Sequence, residues 1–414
     1  MIVALDVIQS AGIGALAMVV GMYLTRKIGF LQRFCIPAPV SGGLIFSLVT
    51  LALYSWADIE VTFDGTLKDI FMLAFFTSVG FQSNLKVLRQ GGKTLIIMLV
   101  LLVIIITLQN LIPLGITRIM GVDPLIGMAA GSISMAGGHG TAGGFASALE
   151  SLGLQGGGTI AMAAATFGLI AGSMIGGPLA ERLIRRKLKN EQLQPQQENL
   201  DPGLTALESD EASPSGRAKR VSSNEQEFQQ YARATYAIVI VMALGTLVSK
   251  LLAITGITFP TYFGALILAA VVRNLFEGMG EKTRKLLDME RIVSVGNICL
   301  SMFLGMAMIS LRLWELQSLA MPLIVILFSQ VIVIALLGYF IAFRMLGKDY
   351  DASLLVAGIC GFGLGATPNA MANMSAVCNK YHYSVKPFLI VPIVGAMFVD
   401  LINTGIISLF LNLI

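Results

Sequence analysis

Two glycine-rich stretches carry the residue types best suited to gripping a small ligand. GHGTAG runs from Gly138 to Gly143 and GFGLGA from Gly361 to Ala366. They fit G-x-G-x-x-G and G-x-G-x-x-A, the spacing of a dinucleotide-binding turn. The context rejects that reading. No strand precedes either stretch, no βαβ unit fits around them, and no acidic residue follows at about 20 positions to hold a ribose. The underlying physics carries over all the same. Glycines let backbone N–H groups approach a ligand, and a helix N-terminus favours an anion. Thr141 is placed to cap the segment AGGFASAL, and Thr367 ahead of Pro368 is placed to cap the segment after it. Each stretch then offers a half-helix N-terminus for a carboxylate, with unwound carbonyls and helix C-terminal ends for a sodium ion.

The tips supply the candidate substrate-binding set: Gly137, Gly138, His139, Gly140 and Thr141 on one side, Gly363, Gly365, Ala366, Thr367 and Asn369 on the other. Nearby oxygens supply candidate sodium ligands: Ser132, Ser134, Gly361, Asn373, Asp400 and Asn403. For any one small polar residue, simple helix packing is the competing reading. Asp400 lies in VGAMFVDLINTG, with Asn403 one turn on. An acid at membrane depth is a functional candidate by default, the alternative being a pairing with a polar neighbour. His139, between glycines, is placed to donate to a carboxylate or to titrate, or else to make a structural hydrogen bond. Gln82, Asn84 and Asn297 are weaker candidates, and Phe75, Phe76, Met302 and Met306 read as packing. Four cysteines and two histidines without metal-ligand spacing predict neither a disulfide framework nor a zinc site.

The elements that hold these residues belong in a membrane. Charged residues are 13% of the 414 and hydrophobic ones 56%, at a mean hydropathy of +0.80. A soluble domain carries about 25% charged residues, so an ordinary soluble enzyme, a disordered chain and a disulfide-rich module are all excluded. A net charge of +4 gives no footprint for nucleic acid. Ten segments suit membrane helices: 7–24, 39–57, 69–85, 94–113, 159–181, 234–254, 260–276, 292–311, 319–343 and 387–411. The N-terminal one, with Asp6 and no basic lead, reads as a helix and not as a signal peptide. The stretches 122–150 and 349–378 are apolar but full of glycine. Broken backbone at that depth survives only against protein or a wet cavity, so both read as re-entrant hairpins. With the N-terminus outside, 24 of the 28 Lys and Arg residues fall inside, a strong positive-inside bias. Residues 187–232 are polar and read as a disordered cytoplasmic linker.

The two sides of that linker correspond. Leu73, Phe76 and Ser83 match Leu300, Phe303 and Ser310, and Gly138 and Gly168 match Gly365 and Gly395, all 227 residues apart. Five crossings per half give the halves opposite polarity. The predicted fold is therefore an all-α polytopic membrane protein made of two inverted-topology repeats, 1–186 and 233–414, each with five transmembrane helices and one re-entrant hairpin. Matched interruptions in such repeats point to the binding site of a secondary transporter. A duplicated channel or inert scaffold is the competing reading.

IPAPVSGGL (Ile36 to Leu44), MLAFFTSVGF (Met72 to Phe81), AGSISMAGGHGT (Ala130 to Thr141), GFGLGATPNAMANM (Gly361 to Met374) and VGAMFVD (Val394 to Asp400) closely resemble bacterial sodium/glutamate symporters. The similarity covers nearly the whole chain except the polar linker. It implies sodium-driven glutamate uptake across the bacterial inner membrane, where the charge bias puts both termini on the periplasmic side. It also implies a homodimer in lipid and an elevator-like motion of a transport domain against a fixed scaffold. The family's two glycine-rich loops carry over onto Gly137 to Thr141 and Gly361 to Thr367. The rival readings are a citrate-type hydroxycarboxylate symporter, a sodium/proton antiporter titrating at Asp400 and His139, and an intramembrane enzyme. The last lacks a nucleophile–base motif, HExxH or paired carboxylates.

Overall fold

A computed structural model describes residues 1–86, 92–187, 224–254, 259–279 and 287–414. Apart from a short parallel pair of strands, β1 (Ile2–Leu5) and β2 (Glu60–Phe63), the described residues fold as helices. Besides short helices at Gly29–Arg33 and Leu313–Leu319, these are in chain order α1 (Val7–Lys27), α2 (Ala38–Ala57), α3 (Thr66–Gln82), α4 (Gly92–Met120), α5 (Pro124–Ala129), α6 (Gly138–Ser151), α7 (Gly157–Lys187), α8 (Asn224–Ala253), α9 (Phe263–Gly278), α10 (Met289–Ile309), α11 (Ala320–Met345), α12 (Tyr350–Leu364), α13 (Thr367–Cys378) and α14 (Val385–Leu411). Eight of them are long and apolar enough to cross a membrane. The protein is thus an all-helical multi-pass membrane protein. α3 and α9, at 17 and 16 residues, fill the other two stretches read as spans. Of the linker read over 187–232, residues 188–223 lie outside the described residues, and 224–232 form the first turns of α8.

The helices sort into two bundles by packing. In the first, α1 lies on α2, α8 on α9, and α3 and α10 run against each other between these pairs. α1 and α2 meet closely enough that a Cβ at Gly21 would sit 2.6 Å from the Ala38 carbonyl carbon. The second bundle packs α12 and α13 against α7, with α6 on the same helix and α4, α11 and α14 around them. The chain therefore passes from the first bundle to the second after α3, back after α7, and across again after α10. Each bundle draws helices from both halves of the sequence, at positions related by the 227-residue offset.

Both glycine-rich stretches are broken helices. The first ends α5 at Ala129, turns through Gly131–Gly137 and restarts as α6 at Gly138, whose φ of +58° suits glycine alone without strain. The second breaks at Gly365 and Ala366 and doubles back tightly. Four residues before the break, a Cβ at Gly361 would run into the Ala370 backbone, four residues after it. Aspartates cap the first arms. Asp123 Oδ1 accepts from Leu125 N and Asp349 Oδ1 from Ala352 N, at 2.8 and 2.7 Å. The caps expected on the second arms differ. α6 is capped by Gly137 and α13 by Ala366, so Thr141 lies a full turn inside its helix and Thr367 is the first helical residue.

Candidate functional site

The two breaks meet. A Cβ added to Gly138 would lie 2.8 Å from the Gly365 carbonyl oxygen. Around this contact is a cavity of about 270 Å³, at the small end of ligand pockets. The second bundle lines it with Gly137, Gly138, His139 and Gly140 from the first break, and with Gly365, Ala366 and Thr367 from the second. α14 contributes Gly395, Ala396, Val399 and Asp400. There the helix loosens into a π turn, Val394–Phe398, just after Pro392. Such turns shift side chains off the regular register and recur at functional sites. Asp400 is the one carboxylate on the cavity wall, and no Lys or Arg lines it among the described residues.

The predicted residues fall into a lining set and a supporting set. Thr141 stands behind the lining and donates from Oγ1 to Asp400 Oδ1 at 3.2 Å. His139, only 5% exposed, shares a 2.9 Å hydrogen bond between Nε2 and Thr166 Oγ1 on α7. Asn369 turns away from the cavity, with Nδ2 donating to Leu169 O and Ser173 Oγ, each at 2.9 Å. Asn373 Nδ2 donates to Gly172 O at 2.9 Å, and Ser134 Oγ to Ala161 O at 2.8 Å. Gly361 and Gly363 sit in the first arm of the second break. These groups fix the breaks against α7 without bordering the cavity.

A second polar layer lies behind the first break. Asn403 Nδ2 donates to Ser132 O at 3.0 Å, and Asn110 Oδ1 accepts from Ser132 N at 3.1 Å. Ser132 Oγ and Asn403 Oδ1 are buried and have no protein partner. A buried oxygen without a donor costs about 1–3 kcal/mol, so this pair is suited to a cation or a water. Neighbouring Gln109 reaches the other break, where its Nε2 donates to Gly363 O at 2.6 Å. Its own carbonyl is free because Pro113, four residues on, has no N–H. Gln330 of α11 fills that gap, donating from Nε2 at 2.9 Å. Sequence reasoning missed Gln109, Asn110, Gln330 and Thr166. Pro113 four residues after a glutamine inside a spanning helix was the available signal.

The first bundle closes the cavity's other side. α3 presents Phe75, Val79 and Gln82, and α10 presents Asn297, Leu300 and Leu304. Gln82 and Asn297 lie toward the ends of α3 and α10 next to Lys86 and Arg291, while Phe75, Leu300 and Leu304 lie nearer the middle of the helices. Toward the opposite end the bundles are sealed. Phe76 and Tyr262 stack at 3.6 Å, Phe145 meets Tyr262 edge-on, and the Tyr262 and Thr404 hydroxyls are 3.3 Å apart.

The profile of a family described as Sodium/glutamate symporter matches residues 3–383. A sodium/glutamate symporter of Escherichia coli (strain K12) is 39% identical over 411 residues, spanning 99% of this chain and 98% of its own. One from Haemophilus influenzae is 37% identical over 408 residues, spanning 97% and 96%. Among solved structures, a sodium proton antiporter from Methanocaldococcus jannaschii aligns over 99% of this chain at 13% identity, with a TM-score of 0.43.

Proposed function

The chain belongs to the sodium/glutamate symporter family, and from that premise we propose that it carries glutamate together with sodium by alternating access at the meeting point of its two broken helices. The single observation that carries the site is the contact of Gly138 with Gly365 at the cavity between the bundles. α6 and α13 both start there, so two positive helix ends converge on one place. That offsets the lack, among the described residues, of a cationic side chain on the wall for binding an acid. Substrate is held by Gly137, Gly138, His139, Gly140, Gly365, Ala366 and Thr367. Thr141 and Asn369 hold the tips in place, and Gly363 anchors the second arm to Gln109. Asp400 is the group to meet either the substrate's ammonium or a sodium ion. Ser132 and Asn403, with unsatisfied oxygens, are the favoured sodium ligands among the six candidates.

Sodium is cargo here, moved with the amino acid. Each net positive charge gains about 2.3 kcal/mol per 100 mV of membrane potential. Glutamate carries one net negative charge, so an electrogenic cycle requires more than one sodium. In this reading the two glycine-rich stretches are re-entrant hairpins of inverted repeats, with the termini periplasmic and the linker cytoplasmic. The second bundle slides as a body along the first, and two copies associate through the first bundle in lipid. A citrate-type substrate is disfavoured because its higher charge calls for an arginine at the tips. A proton antiporter is disfavoured because His139 and Asp400 are each bonded to a threonine and not to each other.

Uptake of labelled glutamate into proteoliposomes tests the reading. Accumulation is expected with an inward sodium gradient and not with potassium in its place. Sodium-independent uptake, or none from folded protein, rejects it.

A further inference from the structure

The cavity has two unlike walls. The wall made by the broken helices travels with the substrate, while the wall made by α3 and α10 stays behind when the bundles shift. Gln82 and Asn297 are the polar side chains that the stationary wall offers; the other lining residues on α3 and α10 are apolar. Gln82 keeps its own helix only loosely, with Nε2 3.4 Å from Ser78 O, so its amide is available to a ligand.

The internal repeat predicts what this wall becomes in the opposite state. α3 and α10 correspond through Leu73 and Leu300, Phe76 and Phe303, and Ser83 and Ser310, at 227 residues. In an inverted repeat, the two end states of a rocking or sliding bundle are related by exchanging the roles of the halves. The same offset places Ile309 where Gln82 stands and Ile70 where Asn297 stands. Thr77 replaces Leu304, but its hydroxyl already donates to Leu73 O at 2.7 Å. Both carboxamides are therefore lost from the wall when the site opens at the other end.

Resting on the transport reading above, we infer that Gln82 and Asn297 are one-sided positioning residues. Their N–H groups hold the anionic substrate when the site faces the end carrying Lys86 and Arg291, and no equivalent donor meets it at the opposite end. Hydrogen bonds to a charged group are the stronger kind, so their loss is visible in affinity. Because the sodium gradient fixes the final accumulation, the asymmetry alters affinity on the Lys86 side and leaves the end point alone.

The test uses proteoliposomes sorted by orientation, with the glutamate KM measured separately from each side. Combining Gln82→Leu with Asn297→Leu is expected to raise KM about tenfold or more on the Lys86 side. KM on the opposite side and the final sodium-driven accumulation stay as in the wild type. Gln82→Asn, which keeps the amide and withdraws it by one methylene, gives a smaller rise on the same side and serves if the double variant folds poorly. An equal rise on both sides, or none on either, overturns the inference while leaving the transport reading standing. Loss of sodium-driven uptake in the wild type rejects the transport reading itself.

Discussion

Thr141 and Asp400 come from opposite halves of the chain, 259 residues apart, yet one hydrogen bond of 3.2 Å joins them at the cavity. That contact makes Asp400 more than a tolerated acid. Asp400→Asn keeps the shape and an acceptor for Thr141 but removes the charge. It is expected to lower sodium-dependent uptake at least about tenfold, the scale of one lost charge-assisted hydrogen bond, without moving the thermal unfolding midpoint in detergent. Unchanged uptake makes Asp400 a structural residue. Asp400 and His139 were legible in the sequence because ionisable groups within membrane segments are rare. Gln109, Gln330 and Thr166 were not, since nothing in a lone amide or hydroxyl tells whether it faces lipid, a neighbour or a break. Gln82 and Asn297 stood out only faintly for the same reason.

At the level of elements, α4 is the clamp. Consecutive residues on it tie down both breaks, Asn110 at Ser132 and Gln109 at Gly363, and Pro113 opens the carbonyl that Gln330 closes. Gln330→Leu leaves that carbonyl unpaired and is expected to destabilise the fold by about 1–3 kcal/mol. Adding Pro113→Ala returns an N–H one turn on, so part of the loss is recovered. Strictly additive effects in the double-mutant cycle would show that the proline and Gln330 are unconnected. Eight of the ten spans and both glycine interruptions were readable from hydropathy and composition. The caps were not. In a run such as GGHGTAGG several residues can begin a helix, and the start falls where the backbone turns left-handed, at Gly138. Thr141, freed from capping, is left to bond Asp400.

On the scale of the whole molecule, the site is open toward one end and shut toward the other, so a reporter on the wall formed by α3 and α10 reads the state directly. Leu300→Cys is expected to react with a water-soluble maleimide from the Lys86 side, and glutamate with sodium should protect it. Labelling mainly from the opposite side contradicts the arrangement of the bundles. Gly144→Ala places a methyl 3.2 Å from Phe76 Cε2 and nearer still to the Tyr262 ring. It should weaken the shut end, lower the population of this state and slow the labelling. Residue offsets and charge bias support the reading of a duplication with opposite polarity, whereas the division of helices between bundles depends on which apolar faces meet, and uniformly apolar helices do not advertise a face.

The shut end has a further mechanical meaning. Ordinary helices are kept in register by side chains that interlock like gear teeth. Gly143 and Gly144 offer no teeth: bare backbone lies against ring atoms of Phe303, Phe76 and Tyr262. A seam without interlocking side chains resists compression more than shear, so the proposed glide of one body past the other meets no side-chain ledge at these two positions.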